Sequence, residues 1–145
     1  MAGPAPVVVD ASVAVKWFNP EEHSAEAVAL RDDHLAQRLV LAAPALLVWE
    51  VSNALRYSRE LGADDVKRAL RDLLDLQIAL LGPDVSWMED TVGLAFDRGL
   101  TLYDASYLGL ALHLRVPLYT ADERLLAAAG SAATPISEYR ARGRR

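Results

Sequence analysis

Pro6-Val7-Val8-Val9-Asp10-Ala11-Ser12-Val13-Ala14 is the stretch on which the fold turns. Three successive β-branched residues favour extended backbone, and a strand that is apolar on both faces belongs inside a parallel sheet rather than at a half-wet edge. From Ala11 the chain runs on without a break until Asn19-Pro20, which reads as strand followed by helix. Asp10 thus falls at the carboxyl edge of the first strand and beside a helix N-terminus, with Ser12 close enough to hydrogen-bond there.

The same alternation continues outward. Residues 21–38 are polar with apolar positions at helical spacing, 39–43 form an apolar run ended by Pro44, and 45–61 predict a second long helix ending at Gly62. A third helix is predicted over 63–81, with Val66, Leu70, Leu73, Leu74 and Gln77 on one stripe. Residues 84–87 read as a weak strand, 89–98 and 103–115 as helices separated by Gly99, 116–120 as a strand, 121–129 as a helix and 133–136 as a last strand. Strands alternating with helices imply right-handed βαβ units. The predicted fold is α/β, doubly wound: three layers, α/β/α, around a parallel sheet of four to five strands. Ligands of such sheets bind outside the carboxyl ends of the strands, where strand order reverses.

Length and composition narrow the function. The chain has 145 residues, enough for one domain; residues 1–139 are expected to form it, with 140–145 as a basic tail carrying Arg140, Arg142, Arg144 and Arg145. A net charge of −5 argues against nucleic-acid binding through a broad basic surface, so any such contact must be local. Without cysteine there is no disulfide, thiolate metal site or Cys nucleophile, which fits a reducing cytoplasm. The first ten residues lack a basic start and contain two prolines, unlike a secretory signal, and the longest apolar run, 39–49, is too short to cross a bilayer. His23, His34 and His113 lack metal-like spacing and are expected to be solvated or packed; Trp17, Trp49 and Trp87 are read as core.

Most of the 20 acidic residues, Asp32 and Asp33 among them, sit on predicted polar helix faces or first turns. Four stand in apolar company instead. Asp10 ends the valine strand, and Glu50 interrupts Leu46-Leu47-Val48-Trp49-Glu50-Val51, where an unpaired carboxylate costs several kcal/mol. Asp104 lies in Leu102-Tyr103-Asp104-Ala105, and Asp122 follows the strand ending at Thr120. Each has a structural alternative: helix capping for Asp10, Asp104 and Asp122, a buried salt bridge for Glu50. Jointly they point to one pocket, because a parallel sheet brings the ends of the first and fourth strands together. Clustered carboxylates raise one another's pKa and are stabilised by a divalent cation; all-oxygen donors suit Mg²⁺, with Mn²⁺ as substitute. Such a site fits phosphodiester hydrolysis by a metal-activated water. Asn53, one helical turn after Glu50, is a further candidate.

Val7-Val8-Val9-Asp10-Ala11-Ser12, Glu50-Val51-Ser52-Asn53-Ala54-Leu55, Leu102-Tyr103-Asp104-Ala105-Ser106-Tyr107 and Tyr119-Thr120-Ala121-Asp122 together resemble the PIN-domain ribonucleases, in particular VapC toxins. The resemblance spans nearly the whole chain. It implies RNA cleavage with Mg²⁺, a cognate antitoxin protein and a homodimer, whose contacts or the antitoxin's are expected on the apolar helix surface around residues 45–81. Asp10 and Asp104 match the principal metal ligands, Glu50 and Asp122 complete the site, and Ser12, Asn53 and Thr120 support it. The reading from another class is a PIN-like scaffold that binds RNA or protein without cutting. A receiver domain lacks support because no Lys follows the last strand, and dehalogenase-type phosphatases need an Asp where Ser12 stands.

Overall fold

The computed structural model describes residues 3–142; of the arginine cluster, Arg144 and Arg145 lie outside them. Five parallel strands, β1 (Pro6–Val9), β2 (Val40–Pro44), β3 (Ala79–Leu81), β4 (Leu118–Thr120) and β5 (Ala133–Pro135), form one sheet in the order β3-β2-β1-β4-β5. The connections carry α1 (Ala11–Ala14), α2 (Ser24–Leu35), α3 (Leu46–Arg56), α4 (Ala63–Asp75), α5 (Val85–Arg98), α6 (Leu102–Leu114) and α7 (Glu123–Ala129). The crossovers leaving β1 and β2 step one way along the sheet, and those leaving β3 and β4 step the other. Right-handed connections therefore put α1 to α4 on one face and α5 to α7 on the opposite face. This is the three-layer α/β/α architecture that the sequence predicts.

β1 is central because its valines can be buried on both sides: Val7, Val8 and Val9 are fully buried. It pairs with β2 on one side through Val7↔Leu41 and Val8↔Ala42, and with β4 on the other through Val8↔Leu118 and Val9↔Tyr119. Strand order reverses between β1 and β4, so their carboxyl ends frame the crevice. On the far face, α6 crosses β1 and β2 and packs on α5 at close range. A Cβ at Gly109 would lie 2.0 Å from Thr91 Oγ1, so only glycine lets the two helices approach this far.

Three local readings are corrected. Residues 84–87 are not a strand: the Asp84 carboxylate accepts from Ser86 N at 2.8 Å and caps α5, turning Val85-Ser86-Trp87 into its first turn. The third strand is Ala79–Leu81, taken from the end of the predicted third helix; α4 stops at Asp75, and Gln77 has φ 57°, which a continuing helix does not allow. Trp49 is 77% exposed rather than core, whereas Trp87 is buried and Trp17 partly so. Apolar exposure also falls differently from expectation: besides Trp49 and Tyr57 on and after α3 and Leu74 on α4, it concentrates on α5 and the start of α6, at Met88, Val92, Phe96, Leu102 and Tyr103. His34 is packed, accepting from Leu41 N through Nδ1 and meeting Leu76 O through Nε2.

Asp33, read as a solvated helix residue, is 0% exposed. It sits on the same stripe of α2 as Ala27 and Leu30, and the C-terminal segment folds over it. Arg38 Nε donates to Oδ1 at 2.7 Å, Arg142 N to Oδ2 at 2.8 Å, and the Tyr139 hydroxyl also donates to Oδ2. Burial works against the charge, but these donors outweigh it and hold the carboxyl below its usual range. A folded-state pKa below the unfolded one stabilises above about pH 4, and the contribution is lost as pH falls through the folded value. Asp33→Ala leaves Tyr139 and Arg38 without their acceptor and is expected to cost about 3 kcal/mol at pH 7. Urea unfolding checks this; a loss near zero, or one that persists undiminished at pH 3, would sink the assignment.

Candidate active site

The site grows from the end of β1. Asp10 is extended and only 5% exposed, and it caps α1 through Oδ1, which accepts from Val13 N at 3.3 Å. Two hydroxyls hold it, one on α1 and one at the end of β4: Ser12 Oγ donates to Oδ1 at 2.6 Å and Thr120 Oγ1 to Oδ2 at 2.7 Å. Each hydroxyl is oriented in turn by an amide after β4, Ala121 N donating to Ser12 Oγ at 2.8 Å and Asp122 N to Thr120 Oγ1 at 3.0 Å. The two amides occupy the hydroxyl oxygens as acceptors and leave the hydroxyl protons for Asp10. Burial nonetheless pushes its carboxyl up to about 6, the three donors only partly offsetting the lost solvation, with the Asp122 charge adding to the rise.

Asp122 caps α7 with one oxygen, Oδ1 accepting from Arg124 N at 2.9 Å and Leu125 N at 3.3 Å, and so serves both structure and site. Asp104 is different. The cap of α6 is Thr101, whose Oγ1 accepts from Asp104 N at 3.1 Å, so the Asp104 carboxylate is not the cap. Capping therefore does not account for it. Partial burial raises its pKa, and the Asp122 charge raises it further. Glu50, on α3, is half-buried rather than enclosed, and among the described residues no cation pairs with it; the Tyr107 hydroxyl donates to its Oε1 at 2.5 Å. Burial lifts this carboxyl as well, against the hydrogen bond and with the Asp104 charge.

These pieces line one cavity of about 210 Å³, bounded by Asp10, Ser12, Glu50, Asp104, Tyr107 and Asp122 with Ala11, Val15 and Ala54 between them. All four acids are thus brought together at the crevice between β1 and β4. Ser12 and Thr120 hold Asp10. Asn53 does not join them: it is exposed, and Ala54, four positions after Glu50, takes the place expected for it. Tyr107 was not singled out from the sequence, although it follows Asp104 by three residues on the same helix face, and a buried tyrosine needs a partner for its hydroxyl.

The donor set is hard, anionic and mutually repelling, which suits a divalent cation of the Mg²⁺ kind. Among the described residues no three Asp, Glu or His side chains stand as a complete ligand cage. Mg²⁺ does not require one, since it usually keeps several waters and is held by one or two carboxylates. The residues fit the ion on these terms.

The PIN domain family model matches residues 7–131. The chain is similar to ribonuclease VapC3 of Pyrobaculum aerophilum, 32% identical over 123 residues covering 82% of this chain and 91% of that one. It is likewise similar to ribonuclease VapC1 of Mycobacterium tuberculosis, 36% identical over 126 residues, 85% of this chain and 90% of that one. Among solved structures, a toxin–antitoxin complex from Klebsiella pneumoniae superposes with TM-score 0.67 over 90% of this chain and 97% of that chain; at 18% identity the likeness is one of fold.

A carboxyl raised to about 6 binds protons in the folded chain that the unfolded chain has released. Stability of the cation-free protein should therefore fall as pH rises from about 4 to about 6, by about 3 kcal/mol for a shift of this size, and stay low above it. Asp10→Asn removes the penalty while keeping an acceptor for Ser12. In EDTA it should match or exceed wild-type stability at pH 7.5 and lose that advantage at pH 4.5. Chemical denaturation at the two pH values decides; an advantage independent of pH contradicts a strained carboxylate.

Proposed function

This chain belongs to the PIN domain family, and on that footing we propose that it is a Mg²⁺-dependent endoribonuclease, the toxin of a toxin–antitoxin pair. The observation that carries the reading is the convergence of Asp10, Glu50, Asp104 and Asp122, from four separate stretches of chain, on one small cavity at the switch point of the sheet. Three of them have raised pKa values, the mark of anions crowded together and partly desolvated. The ribonuclease names of its relatives agree with it.

Asp10 and Asp104 would hold the cation, with Glu50 and Asp122 completing the site through water; Mn²⁺ would substitute for Mg²⁺. The bound ion supplies an acidified water and neutralises charge on the leaving oxygen. The protein's own part is to present its acceptors already oriented, so that little reorganisation is left for the reaction. Ser12 and Thr120 do this for Asp10. Neither hydroxyl in the cavity is free to attack: Ser12 gives its proton to Asp10, and Tyr107 gives its proton to Glu50. Water is then the nucleophile. With a net charge of −5, the phosphate of RNA is drawn in by the ion rather than by a basic surface.

A protein antitoxin is the proposed partner, in keeping with the toxin–antitoxin complex that shares this fold. No helix among the described residues is long and apolar enough to cross a membrane, and the proposed place of action is the cytoplasm, where RNA is found. The exposed apolar residues of α5 and neighbouring α6 are the proposed homodimer face. Phe96, 84% exposed, would lie within it. Phe96→Asp should shift the protein from dimer to monomer in sedimentation analysis, and a wild-type monomer would remove the proposal.

The deciding experiment is cleavage of cellular RNA by the purified protein with Mg²⁺, with EDTA, and with Asp10→Asn or Asp104→Asn. Cleavage should depend on the cation and fall at least about a hundredfold in either variant. RNA bound but not cut would favour the non-cleaving scaffold, and cleavage surviving both substitutions would place the chemistry elsewhere.

A further inference from the structure

We infer that Tyr107 is a positioning residue for the nuclease site: its hydroxyl, reaching from α6 to α3, holds the Glu50 carboxylate turned into the cavity with one oxygen left for the cation or its water. The inference rests on the proposed cation-dependent activity and deepens it.

Tyr107 is among the largest buried side chains, 2% exposed, yet it lines the cavity, and its hydroxyl donates to Glu50 Oε1 at 2.5 Å. It stands one helical turn after Asp104, on the same face of α6, so Asp104 and the hydroxyl that controls Glu50 are carried by one rigid element. Glu50 comes from the opposite wall, α3, and its only recorded hydrogen bond among the described residues is this one. A half-exposed glutamate with three rotatable bonds, facing the like charge of Asp104, would otherwise turn outward to water. The phenol opposes that turn from its own side, because a buried hydroxyl that loses its acceptor is left unsatisfied. Among the described residues only Oε1 is engaged. The other oxygen stays available, which is the arrangement of a group that orients a metal-binding carboxylate without competing for it. Asp10 has its hydroxyl supports in Ser12 and Thr120, and Tyr107 is the corresponding support for Glu50.

Tyr107→Phe removes one oxygen and keeps the buried ring. Calorimetric titration of the full chain with Mn²⁺, without RNA, should show affinity reduced about tenfold. The same variant should lower kcat at limiting Mg²⁺ while leaving KM for RNA unchanged. In a Glu50→Gln background the Phe substitution should add nothing further to either loss, since the carboxylate it orients is gone. Should Tyr107→Phe not fold, Glu50→Asp tests the same point, because the shorter side chain keeps the charge but withdraws it from the hydroxyl, and the same loss is expected. Wild-type Mn²⁺ affinity in Tyr107→Phe, or an equal loss in the Glu50→Gln background, overturns the positioning role and leaves the nuclease reading intact. A wild-type chain that takes up no cation overturns that reading and this inference together.

Discussion

The carboxylate of Asp10 is buried at the carboxyl end of the most enclosed strand of the sheet, and much of the surrounding structure serves to keep it there. A charge in that position is costly unless its oxygens find donors. Ser12, Thr120 and Val13 N supply them, and the two hydroxyls are aimed by amides from the turn after β4. The arrangement requires β1 and β4 to be neighbours in this register, since Thr120 belongs to the end of β4 and Ala121 and Asp122 to the turn behind it. The pairing of two strands more than 100 residues apart and the orientation of one acid are therefore the same fact seen at two scales.

The other acids are placed by separate compromises. Asp122 divides itself between capping α7 and facing the cavity, so its position is set by helix geometry. At the start of α6 the capping role belongs to Thr101, and Asp104 is placed by the first turn of that helix. Glu50 depends on a phenol from the opposite wall. Burial disfavours the charged forms of Asp10, Glu50 and Asp104, and a cation bound as proposed would offset that cost.

Asp33 shows the contrasting use of a buried acid. Its charge is matched by Arg38, Tyr139 and the Arg142 amide, so its pKa moves down where those of Asp10, Glu50 and Asp104 move up. Burial depth does not separate the two kinds of carboxylate: Asp33 is as enclosed as Asp10. Each accepts three hydrogen bonds; what separates them is the neighbouring charge, the Arg38 guanidinium at Asp33 and the Asp122 carboxylate at Asp10.

Much of this was legible in the amino-acid sequence. The valine run and the alternation of short apolar strands with helices determined a parallel three-layer fold, and acids set against apolar neighbours identified Asp10, Glu50, Asp104 and Asp122, because local patterning records which positions face the core. The tertiary structure alone decided which helix residues are capped by whom, that residues 79–81 pair as a strand while 84–87 begin a helix, that Trp49 faces outward and Asn53 lies outside the cavity, and that Asp33 is sealed by a segment over 100 residues away. It also joined Tyr107 to Glu50 across two helices. These depend on which surfaces of distant segments meet, and a hydrogen bond between residues 57 positions apart leaves no trace in the spacing of either.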